Sequence, residues 1–195
     1  MMILTTGACI RKTLGITLML LTTSGAITWA EWREAGKSVP DTAWMKSSGN
    51  FGAMLFLTDK AEDFFKEWDH EPSPDYKPRI GTVAEAHRGG QVASIVIFMG
   101  CQPDKAGKCD LEADFRLLRP DKTVYAEEKG VEVWKNKPAP PEQNLQLGAG
   151  VFGLKVEMDD PLGTYTFEAK VRDRVSKIEL VLQRDLKVVV ETRKE

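Results

Sequence analysis

Tyr165-Thr-Phe-Glu-Ala-Lys-Val-Arg172 is the stretch that decides the fold, because apolar and polar residues alternate through all eight positions. A period of two puts one face on a core and the other in water, which is typical of a strand in an antiparallel sheet. The same period recurs in residues 111–117, 152–158 and 178–190. It breaks at Arg184-Asp185, where we expect a bulge or a bend.

Apolar runs and turn signals predict further strands in the N-terminal half. Residues 51–57 carry no charge and predict a buried strand. Ile95-Val-Ile-Phe-Met99 is apolar at every position, so both of its faces should be covered, as in a central strand. Residues 82–87 and 91–100 flank Arg88-Gly89-Gly90, a tight-turn signal.

The C-terminal half contains two ambiguous features. Residues 124–126 and 131–134 predict either one bulged strand or two short strands. Pro138-Ala-Pro-Pro141 is a stiff segment that fits a chain crossing from one sheet to another.

One helix is predicted over about residues 59–68. Asp59 is a candidate N-cap, and Glu62 three residues later completes a capping box. An apolar stripe follows at helical spacing, formed by Ala61, Phe64, Phe65 and Trp68. We expect this stripe to dock on the protein's own sheet; the alternative is an exposed aromatic stripe that binds a partner. Prolines within residues 71–78 end the helix.

Eight or nine short strands with a single short helix indicate a mainly β protein, an antiparallel sandwich or barrel. Residues 31–78 are predicted to form an N-terminal extension, with the strand at 51–57 and the helix at 59–68, packed on the sandwich. The sandwich domain itself is expected to span residues 79–195. Trp32 and Trp44, in the polar start of the extension, are not expected to stay fully exposed.

Asp160-Pro-Leu-Gly-Thr-Tyr-Thr-Phe167 resembles the corner that enters the penultimate strand of immunoglobulin-like and fibronectin-like domains. The resemblance covers about residues 159–190 and identifies no specific family. It implies an immunoglobulin-like β-sandwich in which Asp160 and Gly163 belong to the corner turn and Tyr165 is the corner tyrosine. Phe167 would stand where antibody domains have their second inter-sheet cysteine. The architecture hosts many unrelated functions, so the resemblance implies none of them.

Residues 1–30 have the layout of a cleavable secretory signal. Arg11 and Lys12 precede an apolar run at residues 14–21, and Thr28-Trp29-Ala30 places small residues before a cut between Ala30 and Glu31. A retained membrane anchor is the alternative, although a spanning helix needs about 20 predominantly apolar residues. Lipidation at Cys9 is disfavoured because the charges and the apolar run come after it.

Removal of this leader from the 195 residues leaves 165, a length that suits one domain. The formal net charge moves from −2 to −4, because Arg11 and Lys12 leave with it. The other basic residues are interspersed with acidic ones, which disfavours a nucleic-acid or anionic-membrane footprint. We expect no stable membrane insertion after cleavage.

Cysteine usage agrees with export. Cys9 leaves with the leader, and Cys101 and Cys109 remain as an even pair in an oxidising compartment. We expect a disulfide that closes a loop containing Pro103 and Gly107. A zinc site would need more thiolates or histidines, and a thioredoxin-type site needs C-x-x-C.

The histidines are His70 and His87, and neither predicts a site. Asp69-His70-Glu71 could in principle hold a cation, but a solvated helix end is the simpler interpretation. No nucleophile elbow, phosphate loop or dinucleotide fingerprint is present. We therefore predict no catalytic, cofactor-binding or metal-binding residues and no enzyme, with a hydrolase as the alternative.

The expected function is a non-enzymatic exported binding or accessory protein, periplasmic or secreted. It would contact an envelope or secreted protein through a sheet edge or loops, with the Cys101–Cys109 loop and the Trp134 region as candidate surfaces. The alternative is a periplasmic small-ligand or metal-binding domain that uses the apolar cluster under the helix and the surroundings of His70.

Overall fold

The computed structural model describes residues 32–34, 37–69, 80–141 and 144–190. The expected signal peptide, its cut between Ala30 and Glu31, and His70 lie outside these residues. The elements of the described part are β1 (Arg33–Glu34), β2 (Lys37–Ser38), β3 (Met45–Ser48), β4 (Phe51–Thr58), α1 (Ala61–Trp68), β5 (Glu85–His87), β6 (Gln91–Met99), β7 (Lys108–Leu118), β8 (Val124–Pro138), β9 (Gln146–Lys155), β10 (Gly163–Asp173) and β11 (Glu179–Val189).

Two sheets form a β-sandwich, which confirms the predicted fold class. One sheet has five strands in the order β5-β11-β10-β7-β8, and the other has four in the order β3-β4-β6-β9. All pairings in the two sheets are antiparallel except that of β5 with β11, which is parallel. The strands β1 and β2 form a separate two-stranded ribbon.

The core between the sheets is built from the alternating positions. Tyr165, Phe167, Ala169 and Val171 are fully buried, as the alternation in β10 predicts. Aromatic rings interlock across the layer: Phe152 of the four-stranded sheet stacks on Phe115 with centroids 5.5 Å apart. The interior is thus filled by side chains from both sheets.

A second apolar layer covers the outer face of the four-stranded sheet. Ile95 and Ile97 of β6 point into it, while Val96 and Phe98 point into the main core, so the predicted central strand is buried on both faces. The layer is closed by the helix and by residues near the N-terminus, among them Trp32, Trp44, Phe64, Phe65 and Trp68. The aromatic stripe of α1 therefore docks on its own sheet, as expected.

Two bridging segments close one side of the sandwich. The Leu55 N–H donates to the Trp44 carbonyl (2.9 Å), and the Gln183 N–H donates to the Ala43 carbonyl (2.7 Å), so adjacent residues tie β4 to β11. In the second bridge, the Val83 N–H donates to the Leu57 carbonyl, and the Lys187 N–H donates to the Ala84 carbonyl. Both bridges thus join β4 to β11, the strands next to the short edge strands β3 and β5.

Several local predictions need correction. The helix begins at Ala61 and makes no side-chain cap hydrogen bond, so the capping box at Asp59 and Glu62 does not form. The reason is that β4 continues to Thr58, whose hydroxyl accepts the Lys60 N–H (3.1 Å).

The turn at Arg88-Gly89-Gly90 exists, but it does not make a hairpin. The Gly90 N–H donates to the His87 carbonyl (3.0 Å), yet β5 belongs to the five-stranded sheet and β6 to the four-stranded one. The turn therefore carries the chain between sheets.

The expected bulge at Arg184-Asp185 is absent, because β10 and β11 pair without a register shift from Arg172↔Glu179 to Gly163↔Val188. Met158 and Val190, expected to continue the apolar face, are 70% and 62% exposed because each lies beyond the end of its strand.

The structure decides between the two alternatives for residues 124–138 and changes the predicted place of residues 51–58. Residues 124–138 form one long strand, β8, with four register shifts against β7, which is the bulged alternative. The strand β4 pairs with β6 along its length, so residues 51–58 belong to the sandwich rather than to an extension packed on it.

Candidate binding surface at the stapled end

One end of the sandwich contains a loop that is closed covalently. A disulfide joins Cys101, two residues after the end of β6, to Cys109 at the start of β7, with Cα atoms 6.1 Å apart. Both cysteines are buried, and all of residues 102–108 between them are exposed. We call residues 101–109, together with the neighbouring turn 174–177 and residues 134–139, the stapled end.

Asp104 fixes the inside of the loop. Its Oδ1 accepts the backbone N–H of Ala106 (2.8 Å) and of Lys108 (3.0 Å). The hydrogen bonds from Lys108 and Ala106 hold the pKa of the Asp104 carboxyl below its usual value. The Ala139 N–H donates to the Gly107 carbonyl (3.0 Å), which ties the tip of the loop to the end of β8.

Asp173 fixes the base of the loop. This residue is 1% exposed, and its Oδ2 accepts the Gln102 N–H at 2.8 Å. Its Oδ1 accepts the N–H groups of Val175 (3.0 Å) and Ser176 (3.3 Å). One buried carboxylate thus joins the stapled loop to the β10–β11 turn. In the sequence, Asp173 is a single Asp at the end of an alternating strand. That pattern does not distinguish it from an ordinary turn residue.

Trp134 provides an aromatic surface beside the loop. Its ring packs edge-on against Phe98 (5.4 Å between centroids), and its indole N–H donates to the Pro138 carbonyl (3.1 Å). The Lys137 ammonium stands 4.7 Å from the ring centroid. Such a cation–π contact is worth about 0.5–1 kcal/mol at an exposed position.

The corner residues lie at the opposite end of β10. The Asp160 Oδ2 accepts the Glu157 N–H (2.7 Å) and the Tyr125 hydroxyl (3.1 Å), while its carbonyl accepts Arg88 Nη2 (2.7 Å). The Tyr165 hydroxyl donates to the Pro161 carbonyl (3.0 Å), and burial raises the pKa of Tyr165. These bonds make the corner a structural support of the fold.

Gly163 begins β10 against the neighbouring loop. A Cβ added there would come within 3.1 Å of the Pro120 ring. The close contact joins the corner to the β7–β8 turn, so this end of the sandwich is also tightly packed.

The outer face of the five-stranded sheet carries a network of charges. Arg172 makes a bidentate pair with Asp114 (2.7 Å for each bond) and a further bond to Glu112 (3.0 Å). Arg174 bonds to Glu112 (2.7 Å), and this bond lowers the pKa of Glu112 most strongly. The charges of this network already have partners within the chain.

An open groove of about 600 Å³ lies on the other sheet, beside the start of α1. Its floor is formed by the paired residues Ala93 and Gly153, and its wall by residues 58–63. Asp59, Glu62, Asp63, Lys60 and Lys155 give it a mixed charge.

The described residues contain neither a grouped set of metal ligands nor a membrane-spanning helix. There, no three His, Cys, Asp or Glu side chains group so that they could hold a metal ion. Asp69-His70-Glu71 lies partly outside these residues. His87 is exposed in the short edge strand β5. No helix within the described ranges is long and apolar enough to cross a membrane.

Comparison with known proteins assigns no family. No protein-family model matches the chain, and no curated protein matches it. Among solved structures, a Niemann-Pick type C2 protein from the Japanese carpenter ant aligns at 10% identity and a TM-score of 0.38, covering 69% of this chain and 89% of the other.

Two further solved structures show similarly weak likeness. A family 123 glycoside hydrolase from Clostridium perfringens aligns at 7% identity and a TM-score of 0.39 over 74% of this chain and 28% of the enzyme. The CARDB domain of the PF1109 protein from Pyrococcus furiosus, solved with di-metal ions, aligns at 17% identity and a TM-score of 0.33, over 55% and 81% of the two chains. Likeness at this level carries neither a family nor a function to this chain.

Proposed function

We propose that this chain is an exported, non-enzymatic binding or accessory module whose stapled end contacts another envelope or secreted protein. The observation that carries the proposal is the loop 102–108, which is exposed at every residue and yet held by a disulfide, by Asp104 and by Asp173. A loop fixed before contact loses little conformational entropy on binding.

The rest of the surface leaves this end as the best candidate. The outer face of the four-stranded sheet is covered in large part by the protein's own helix and N-terminal residues. The outer face of the five-stranded sheet has its Arg172 and Arg174 charges paired internally. The loop side chains are Gln, Pro, Asp, Lys and Ala, which suit contact rather than nucleophilic chemistry.

The disulfide between Cys101 and Cys109 supports export. Disulfides persist in oxidising compartments and are rare in the reducing cytosol. The signal-like residues 1–30 and the buried disulfide thus support the same compartment, the periplasm or the extracellular space.

Site-directed photo-crosslinking in the oxidised, exported protein tests the proposal. A photo-reactive residue replaces Lys105 in the stapled loop, and the control places it at Asp159, which is exposed at the opposite end. We expect discrete crosslinked species from position 105, absent from position 159 and lost in the Cys101→Ala/Cys109→Ala variant. Equal yields at both positions, or none at 105, would overturn the proposal.

A second candidate function rests on the groove beside α1. Its volume suits a small ligand, and its floor of Ala93 and Gly153 is open, since the atom nearest to a Cβ at Gly153 is 3.8 Å away. A thermal-shift screen against metabolites and metals would support it by a hit that raises Tm. The hit should disappear in Gly153→Val, which narrows the groove.

A further inference from the structure

The stapled end carries lysines without carboxylate partners. Lys105, Lys108, Lys137 and Lys177 make no ion pair among the described residues, although all four are exposed. Several lysines on the sheet faces are paired, for example Lys170 with Glu179 and Lys187 with Glu85. Lys37, Lys66 and Lys122 also make no ion pair among these residues. The four lysines of the stapled end differ in their position, because they lie on a loop and neighbouring segments that the disulfide and Asp173 hold together.

The four lysines lie on neighbouring segments of the stapled end. Lys108 and Lys137 lie on adjacent strands, where Lys108 faces Pro138 and Cys109 faces Lys137. The Asp104 N–H donates to the Lys108 carbonyl (2.8 Å), which folds Lys105 back beside Lys108. Lys177 lies in the turn 174–177 that follows Asp173. The carboxylate of Asp173 holds the base of the loop.

The nearby carboxylates are engaged by the backbone. Asp104 accepts two backbone N–H groups and Asp173 accepts three. Asp110 faces Arg174 at 3.6 Å. These acids position the loop, and among the described residues none of them forms an ion pair with the four lysines. The Lys137 ammonium contacts the Trp134 ring, and Lys108 acts on the Asp104 carboxylate only at longer range.

We propose that the stapled end recognises an acidic segment of a partner protein, a run of Asp and Glu side chains that lies across these lysines and Trp134. This inference rests on the proposed function and names its partner chemistry. The chain without its leader carries a net charge of −4, so a local positive surface would orient an acidic partner toward this end.

Other anionic partners fit the surface less well. Side chains that insert into a lipid surface are apolar and exposed, and the exposed large apolar residues of the described chain lie elsewhere, at Val124, Leu145, Val151, Met158, Leu162, Val181 and Val190. Nucleic-acid binding needs a denser basic surface than four lysines next to three aspartates. An acidic peptide needs only a few matched charges and a flat apolar contact such as Trp134.

The test uses the oxidised protein without its leader and a fluorescein-labelled octaglutamate peptide. Fluorescence anisotropy measures its Kd for the parent protein, for Lys105→Gln/Lys108→Gln/Lys137→Gln, and for the control Lys37→Gln/Lys46→Gln/Lys66→Gln, which removes the same charge elsewhere. Exposed ion pairs contribute modestly, so we expect about tenfold weaker binding by the first variant and less than twofold by the control. Added salt should weaken binding by the parent.

Two further arms identify the ligand class. Octalysine should not bind, and vesicles of anionic phospholipid should not compete with octaglutamate. In the parent protein, octaglutamate should shift the NMR signals of residues 102–108 and of the Trp134 indole N–H. Equal losses in both triple variants, or preferred binding to the vesicles, would overturn the acidic-segment proposal.

The outcomes separate the two proposals. If position 105 still crosslinks to a protein in the Lys108→Gln/Lys137→Gln background and octaglutamate does not bind the parent, the acidic chemistry is wrong and the binding module stands. If position 105 captures nothing in the parent, the proposed function itself fails.

Discussion

Gly100, the residue before Cys101, shows how closely the stapled end is built. Its φ is +66°, and a Cβ there would lie 1.7 Å from the Asn50 carbonyl oxygen, which belongs to the backbone and cannot move aside. Gly107 at the tip of the loop has a similar φ of +75° but open space around it. Substitutions at these two glycines therefore distinguish the cost of backbone strain alone from the cost of strain together with a steric clash.

We expect Gly100→Ala to lower the free energy of unfolding by more than about 3 kcal/mol or to prevent folding, because clash adds to strain. Gly107→Ala should cost only about 1 kcal/mol, the left-handed strain alone. Urea denaturation followed by tryptophan fluorescence measures both. Equal costs for the two variants would contradict the close approach of Asn50.

Arg184 shows what the sequence could not predict at the residue scale. It occupies an inward-facing position of β11, between Leu182 and Leu186, where alternation demands an apolar side chain. Its guanidinium stands 4.5 Å from the centroid of Trp44, and burial lowers the pKa of Arg184. Because that aromatic partner lies far away in sequence, an arginine in this place was interpreted as a break in the strand.

At the scale of elements, the disulfide is predicted to stabilise the junction of β6 and β7. Closing a loop of about nine residues contributes about 2.5 kcal/mol in the chain-entropy model. Cys101→Ala/Cys109→Ala should lower the free energy of unfolding by that amount, with alanine chosen because both positions are buried.

Dithiothreitol provides the control for this prediction. It should destabilise the parent protein by a similar amount and leave the double variant unchanged. Two free thiols in the intact mass of the exported protein would contradict the disulfide.

The ion network that joins β7 to β10 predicts a pH dependence. The hydrogen bonds from Arg172 hold the pKa of Asp114 below its usual value. A carboxyl whose pKa is lowered by folding stabilises the protein above its unfolded-state pKa and ceases to do so as the pH falls through the folded-state value. The stabilisation is therefore complete at neutral pH and is lost below about pH 4.

We expect Arg172→Met to destabilise the protein by about 2 kcal/mol at pH 7, because a charged hydrogen-bond partner is removed from the half-buried Asp114. The difference from the parent should shrink as the pH falls from 4 to 2. Urea midpoints across this range measure it.

Lys187→Met is the matched control, since Lys187 pairs with Glu85 at 3.6 Å and both side chains are more than half exposed. It should cost little at any pH. A difference between parent and Arg172→Met that stays constant down to pH 2 would contradict the role of Asp114.

The two-residue period of the sequence was sufficient to predict strands that have one face in water. The strands β7 and β10 alternate cleanly and were predicted nearly to their ends. The start of α1 was missed because Asp59-Lys-Ala-Glu62 satisfies a capping pattern that the continuation of β4 overrides. Local signals decide such a boundary only when no neighbouring strand competes for the same residues.

At the scale of the whole molecule, the sequence predicts layers better than connections. The strand pattern predicts an antiparallel sandwich or barrel, and the resemblance of the corner at residues 160–167 favours the sandwich. The two-sided burial of Ile95-Val-Ile-Phe-Met99 requires a cover on its outer face. The pairing of β5 with β11, a parallel contact between distant segments, has no local signal. The basic character of the stapled end was equally hidden, because it depends on which lysines find carboxylates after folding.

Trp32 connects the fold to the proposed processing of the chain. It is 6% exposed and lies over Gly52, where an added Cβ would be only 2.9 Å from its ring. A cut after Ala30 would leave this residue second in the mature chain and available to close the outer apolar layer. A cut only a few residues later would remove it.

We therefore expect the exported protein to begin at Glu31 by intact-mass analysis. Trp32→Ala should lower the free energy of unfolding by about 3 kcal/mol, the usual cost of emptying a large aromatic site. A chain that starts at Lys37 should lose at least as much, whereas Ser38→Ala, at an exposed position of the same segment, should change little. An exported chain that begins beyond Trp32, or an unchanged urea midpoint for Trp32→Ala, would show that the outer layer is closed without this residue.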